Sequence, residues 1–185
     1  MKTVLIRPSR QVDLPLISAL EKSGDAQFRE VGMERVADAP APDPQDFGEA
    51  HEAGRLLAAV TEADALVGFV RLEIVDATAH VEQLSVLPDH QGRGVGAALL
   101  QAAEQWARSQ GYTRMSLTTF RDVPWNGPYY ARLGWVILPE REWGPELAAA
   151  RQHERDLGLD QWPRQAMVKH LDAAASGEAH ANSSP

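Results

Sequence analysis

Apolar residues recur along this chain with two different periods, and the switches between them mark out the elements. Val4-Leu5-Ile6 is a short apolar run closed by Arg7-Pro8, which predicts a first strand. Asp13 stands where it can cap a helix carrying Leu14, Leu16, Ile17 and Leu20. From residue 23 to 52 the pattern breaks up around Gly24, Gly32 and Ala39-Pro40-Ala41-Pro42-Asp43-Pro44. That text predicts broken helix and a proline-rich surface loop, and loops of that length are often lids or binding loops. Residues 56–60 and 66–75 predict two strands joined around Ala63-Asp64. In the second, Val70, Leu72 and Ile74 alternate with Arg71 and Glu73, the period of a strand with one wetter face. A turn at Asp76-Ala77-Thr78 leads to a third strand over residues 80–87, ended by Pro88.

Residues 94–110 give the clearest helix, with Val95, Ala98, Leu99, Ala102, Ala103, Trp106 and Ala107 at helical spacing and Gly111 as the stop. Residues 115–120 read as a strand, 126–133 as a short helix, 135–138 as a strand, 146–157 as a helix and 165–171 as a final strand. From Asp172 the residues are small and polar, so 172–185 is expected to be a disordered tail. No internal repeat interrupts the order. The pattern predicts one α/β domain over residues 1–171, with hairpins early and a crossover helix in the middle.

Composition narrows the function classes. With 185 residues and 44% apolar content the chain can bury a proper core. No run approaches the roughly 20 apolar residues of a membrane-spanning helix, and Arg7 ends the opening apolar run too early for a secretory signal. A net charge of −8 argues against nucleic acid and is compatible with a cationic substrate, although many enzymes are acidic for solubility alone. There is no cysteine, and the six histidines stand singly without metal-ligand spacing. A cytoplasmic protein without a metal is the simplest expectation.

The most informative stretch is Val86-Leu87-Pro88-Asp89-His90-Gln91-Gly92-Arg93-Gly94-Val95-Gly96-Ala97-Ala98-Leu99-Leu100, a strand running through a glycine turn straight into an amphipathic helix. Glycines at alternate positions let backbone N–H groups converge, and the first turn of a helix has four unpaired N–H groups at the positive end of its dipole. Such a turn is a phosphate cradle, to which Arg93 can add charge-assisted bonds. A plain tight turn would use the same residues. The spacing is not the GxGxxG of a dinucleotide site, and no Gly-Lys-Ser/Thr follows, which disfavours a nucleotide-binding enzyme of another class.

Gln91-Gly92-Arg93-Gly94-Val95-Gly96 resembles the Q/R-x-x-G-x-G/A motif of the GCN5-related N-acetyltransferase (GNAT) family, in the family's position after a strand ending in Val-x-Pro. Thirty residues after Gly96, Asn126-Gly127-Pro128-Tyr129-Tyr130-Ala131-Arg132-Leu133-Gly134-Trp135 resembles the family's N-x-x-x-Y-x-x-x-G-F/W signature. The resemblance is strong over residues 80–138, and the element order fits up to residue 171. It implies the acyl-CoA N-acyltransferase fold, a mixed central sheet with helices on both faces.

The resemblance further implies acetyl-CoA as co-substrate, lying in a V-shaped opening between the strands at 80–87 and 114–120. Backbone groups of Leu84, Ser85 and Val86 would meet the pantetheine arm, and Gln91, Gly92, Arg93, Gly94, Val95, Gly96 and Ala97 the pyrophosphate. Asn126 would contact the cofactor, although it is equally suited to cap a helix whose first turn holds Pro128. Tyr130 stands where the family's proton-donating tyrosine stands, and the Leu84 N–H where its oxyanion donor stands. A helix turns Tyr129 about 100° away, toward a structural or substrate-lining place. For the base, alternation puts His80, Glu82 and Leu84 on one face; Glu82 leads, His80 follows, Glu73 is a third candidate, and the family resemblance leaves open a water route with no single base. Pairing of such groups with Arg71 is the structural alternative. Trp125 and Trp143 are core residues or acceptor-site walls, and residues 122–125 sit where a pocket mouth would be. The expected reaction is acetyl transfer to a primary amine, of a small molecule first, with a protein N-terminus or lysine as the open alternative, and the resemblance is compatible with a homodimer. A non-catalytic acyl-CoA sensor on the same fold is the alternative. The acceptor pocket is expected from residues 23–52 and from those after 138.

Overall fold

The computed structural model describes residues 4–171, and the tail expected at 172–185 lies outside them. Strands β1 (Val4–Pro8), β2 (Leu56–Thr61), β3 (Leu66–Val75) and β4 (Thr78–Val86) form an antiparallel meander. Helix α1 (Leu14–Asp25) and the short helices α2 (Glu34–Ala37) and α3 (Gly48–Glu52) fill the long β1–β2 connection. The crossover helix α4 (Val95–Ser109) then returns the chain to β5 (Arg114–Phe120), parallel to β4. After α5 (Gly127–Arg132) come β6 (Val136–Ile137), α6 (Pro145–Asp156) and β7 (Arg164–His170). The sheet order is β1-β2-β3-β4-β5-β7-β6, so the last strand inserts between β5 and β6.

Strand alternation divides the core between the two faces. Val70, Leu72 and Val81 meet Val95, Leu99 and Ala103 of α4 on one face. Phe69, on the other, meets Ile17 and Leu20 of α1 and the ring of Phe47. Burying each of these large side chains contributes about 1.5–3 kcal/mol, so the two helices clamp the sheet from opposite sides. Leu147 of α6 covers the far end of the sheet against Leu138, Ala166 and Val168.

Two local expectations are corrected. Asp13 does not cap α1 with its side chain; it accepts from the Arg10 N–H at 2.7 Å and from Arg7 at 2.7 Å, so burial of this carboxylate is compensated by an ion pair. The strand expected at 135–138 shrinks to Val136–Ile137, because Trp135 turns into the core against Tyr130.

The β3–β4 turn has a second duty. The Asp76 carboxylate accepts from the backbone N–H groups of Glu146 (2.9 Å) and Leu147 (3.0 Å), capping α6 from across the sheet, while Glu146 accepts from the Asp76 N–H. Asp76→Ala is expected to cost about 1–2 kcal/mol, read as an earlier urea midpoint with an unchanged m-value.

Candidate active site

β4 and β5 pair at only three positions, Ala79↔Met115, His80↔Ser116 and Val81↔Leu117, and then diverge. At the same point β4 carries a bulge. Leu72 pairs with Val81 and Arg71 with Gln83, which leaves Glu82 as the extra residue. The bulge corrects the expectation that His80, Glu82 and Leu84 share a face. His80 pairs with Glu73 on the α1 face, whereas Leu84 pairs with Val70 and packs with the α4 core. Beyond the bulge, the Leu87 N–H donates to Val67 O in β3 at 2.9 Å. Antiparallel alternation then turns the backbone groups of Val86 and Leu84 the other way, toward the gap. The Val86 carbonyl accepts there from Gln91 Nε2 at 3.0 Å.

This gap opens into a cavity of about 860 Å³. One end is walled by Leu84, Ser85 and Val86 and by the turn into α4, where Gln91, Gly92, Gly94, Val95, Gly96 and Ala97 all line it. Ala98 is the first residue to donate back, to Gly94 O at 3.0 Å, so the N–H groups ahead of it stand at the open end of the helix. Gly94 holds φ +82, and a Cβ there would meet nothing but open space. At Gly96 a Cβ would strike the Tyr129 hydroxyl. Arg93 is exposed and does not line the cavity.

α5 supplies the next wall. Asn126 and Tyr130 both line the cavity, and Asn126 Oδ1 is buried with no hydrogen-bond partner. A buried carbonyl oxygen without a donor costs about 1–3 kcal/mol, which a ligand N–H or O–H would recover. Tyr130 is 7% exposed, its ring edge-on to Trp135, and burial raises its phenol well above the ordinary range. Tyr129 also lines the cavity, with the Arg132 guanidinium over its ring.

The other end draws on the regions without a signature: Asp25 at the end of α1 and Phe28 beyond it, Trp125 before α5, and Glu154, Leu157 and Arg164 from α6 onward. Residues from 23–52 and from beyond 138, where the acceptor pocket was expected, thus line this end of the cavity. Trp143 instead packs on Leu138 and Val75, with Nε1 donating to Leu138 O at 2.9 Å.

Charge is unevenly compensated there. Glu154 is half-buried, yet hydrogen bonds and charge from Arg164, with Thr118 and Arg151, outweigh the desolvation and hold it below the usual range. Burial pushes the Asp25 carboxyl up to about 6, with Lys22 opposing only in part. Burial, reinforced by the Asp25 charge, takes Glu21 to about 7. Glu82 is 50% exposed because it faces the cavity, but the walls crowd it; burial raises its pKa, Arg71 opposes, and Glu73 adds to the rise. Arg71 pairs with Glu73 at 2.9 Å, and Glu73 also meets Arg55, so neither Arg71 nor Glu73 is free for other work. His80 is 2% exposed and lies behind the lining, its Nδ1 2.8 Å from Ser116 Oγ. Burial lowers it to about 4, so it is neutral at pH 7. Its Nε2 lies 4.0 Å from Glu82.

The model of the acetyltransferase (GNAT) family matches residues 20–135. The chain belongs to the GNAT family. Solved structures agree on the fold. N-acetylglutamate synthase from Neisseria gonorrhoeae, complexed with coenzyme A and N-acetyl-glutamate, is 21% identical over 92% of this chain, with a TM-score of 0.68. This GNAT chain spans only 36% of that protein. The PaiA N-acetyltransferase of Thermoplasma acidophilum, in complex with coenzyme A, is 15% identical, with a TM-score of 0.66 over 91% of this chain and 99% of its own. The ribosomal-protein-S18-alanine N-acetyltransferase of Escherichia coli reaches 0.63 at 16% identity, covering 95% of this chain and 98% of its own.

Proposed function

We propose that this GNAT protein transfers the acetyl group of acetyl-CoA to a primary amine of a small molecule. The observation that carries the reading is the gap between β4 and β5, which runs without interruption into the glycine turn at the start of α4. The amides of Gly92 to Gly96 receive the pyrophosphate, and the gap-facing groups of Leu84 and Val86 pair with the pantetheine arm as an added strand would. Ser85 lines the cavity between them, but its backbone pairs with Phe69 of β3 and its hydroxyl accepts from Gln83 Nε2 at 3.0 Å. Asn126 Oδ1 takes a cofactor donor. Arg93, at the rim, adds long-range charge only.

Glu82 takes the ammonium proton and passes it to solvent. The neutral amine nitrogen attacks the thioester carbonyl carbon and the C–S bond breaks. The second N–H proton leaves by the same carboxylate as coenzyme A departs as the thiolate. Bound as an ammonium, a lysine-like amine of pKa ~10.4 costs about 4–5 kcal/mol to neutralise at pH 7, so it needs an acceptor such as Glu82 close by. The Leu84 N–H stabilises the oxyanion, and the Tyr130 hydroxyl donates to the departing sulfur. His80 is neutral, lies behind the lining and meets Ser116 through Nδ1, so the base role falls to Glu82.

Calorimetry with acetyl-CoA, NAD and ATP tests the binding half directly. Selective acetyl-CoA binding is expected, and Gly94→Ala should weaken it at least tenfold by placing a methyl group in the cradle and straining a left-handed residue. Binding of NAD or ATP in preference would refute the reading. Selective acetyl-CoA binding without thiol release for any amine would favour the sensor instead.

A further inference from the structure

The acceptor end of the cavity is built from two kinds of surface. Phe28, Phe120 and Trp125 form an aromatic wall, with Phe28 edge-on to both neighbours at ring-centre distances of 5.6 and 5.7 Å. Leu157, at the end of α6, lines the same space and is 48% exposed, an apolar side chain left facing the cavity rather than packed away. The polar surface is asymmetric. Glu154 is neutralised by Arg151 and Arg164, and Arg164 is itself laid over the Phe120 ring at 4.4 Å. Asp25 and Glu82 face the cavity without a salt-bridge partner of this quality.

Resting on the acetyltransferase reading above, we propose that the acceptor is a primary monoamine with an aromatic or branched hydrocarbon body. Its ammonium lies between Asp25 and Glu82, and its body lies on Phe28, Trp125 and Leu157. The wall offers hydrocarbon and ring faces. A hexosamine would leave its hydroxyls unpaired against that wall, at a cost of about 1–3 kcal/mol for each group stranded. A polyamine would need a second anion beyond the wall, where Glu154 is already matched by two arginines. An aromatic face beside carboxylates instead suits one cation joined to apolar surface, through burial and through cation–π attraction.

The test is calorimetric titration of the protein saturated with coenzyme A, using phenethylamine, spermidine, glucosamine and a short alanine-initiated peptide as probes. Coenzyme A binding is recorded first, because its absence would overturn the acetyltransferase reading itself. Given that binding, phenethylamine is expected to bind at least tenfold tighter than each of the other three probes. Leu157→Asp should weaken phenethylamine at least fivefold without affecting coenzyme A, and Asp25→Asn should weaken it at least tenfold. Leu157 is exposed, so its variant is expected to fold, whereas Phe28→Ala would open the core. Tighter binding of the polyamine, the sugar or the peptide, no binding of phenethylamine, or indifference to both substitutions would overturn the proposal while leaving acetyl-CoA chemistry in place.

Discussion

Replacing Tyr130 by Phe is expected to lower kcat ten- to a hundredfold while the Kd for acetyl-CoA stays within about threefold of wild type. The hydroxyl does a limited job. A thiolate of pKa ~8.5 is a tolerable leaving group near neutral pH, and full proton transfer from a phenol of higher pKa would be uphill. Burial raises the Tyr130 phenol further, so the group stays protonated throughout the working range. On the proposed mechanism it serves as a fixed hydrogen-bond donor to the sulfur as charge develops there, a role that needs rigidity more than acidity. The ring's contacts with Trp135 and Tyr129 supply that rigidity and survive in Phe. Steady-state kinetics and calorimetry on the same preparation separate the two effects, and kcat unchanged in the variant would remove Tyr130 from the reaction. Since the hydroxyl does not titrate below pH 9, the loss should be level across that range.

The parts of this site that were legible in the sequence are those where local backbone chemistry is the function. A cradle made of amides needs glycines at the head of a helix, and Gly92, Gly94 and Gly96 mark such a candidate in the sequence. The α5 signature is legible for the same reason, since Asn126 and Tyr130 are held by one short helix. The placement of Glu82 was only half legible. Alternation is a rule for regular strands, and the bulge that turns His80 and Leu84 to opposite faces leaves no mark in residue type. Asp25, Phe28, Glu154 and Arg164 meet only through tertiary packing, with more than a hundred residues between the first pair and the second. No periodicity connects them. The order of the last two strands was hidden likewise, because insertion of β7 beside β5 depends on pairing across 40-odd residues.

Glu82→Gln is expected to lower kcat/KM about 10²–10³-fold at pH 7, with the deficit shrinking toward unity as pH approaches 10. On the proposed mechanism the ionised wild-type carboxylate removes the ammonium proton, so activity should be lost as pH falls through the raised Glu82 pKa. The glutamine variant can use only amine that is already neutral, a fraction that grows tenfold per pH unit up to the amine's own pKa of ~10.4. The two profiles converge at high pH for that reason alone. A loss that stayed constant with pH would mean disturbed packing at the bulge. Stability supplies an independent sign. Glu82, Asp25 and Glu21 hold protons more tightly folded than unfolded, so the stability these three groups contribute is full below pH ~4 and is lost as pH rises through their folded values. Gln mimics the protonated carboxyl, so the variant should melt above wild type at pH 8 and with it near pH 4. A variant slower yet more stable at pH 8 fits a carboxylate held, at a cost to the fold, where an incoming ammonium would neutralise it.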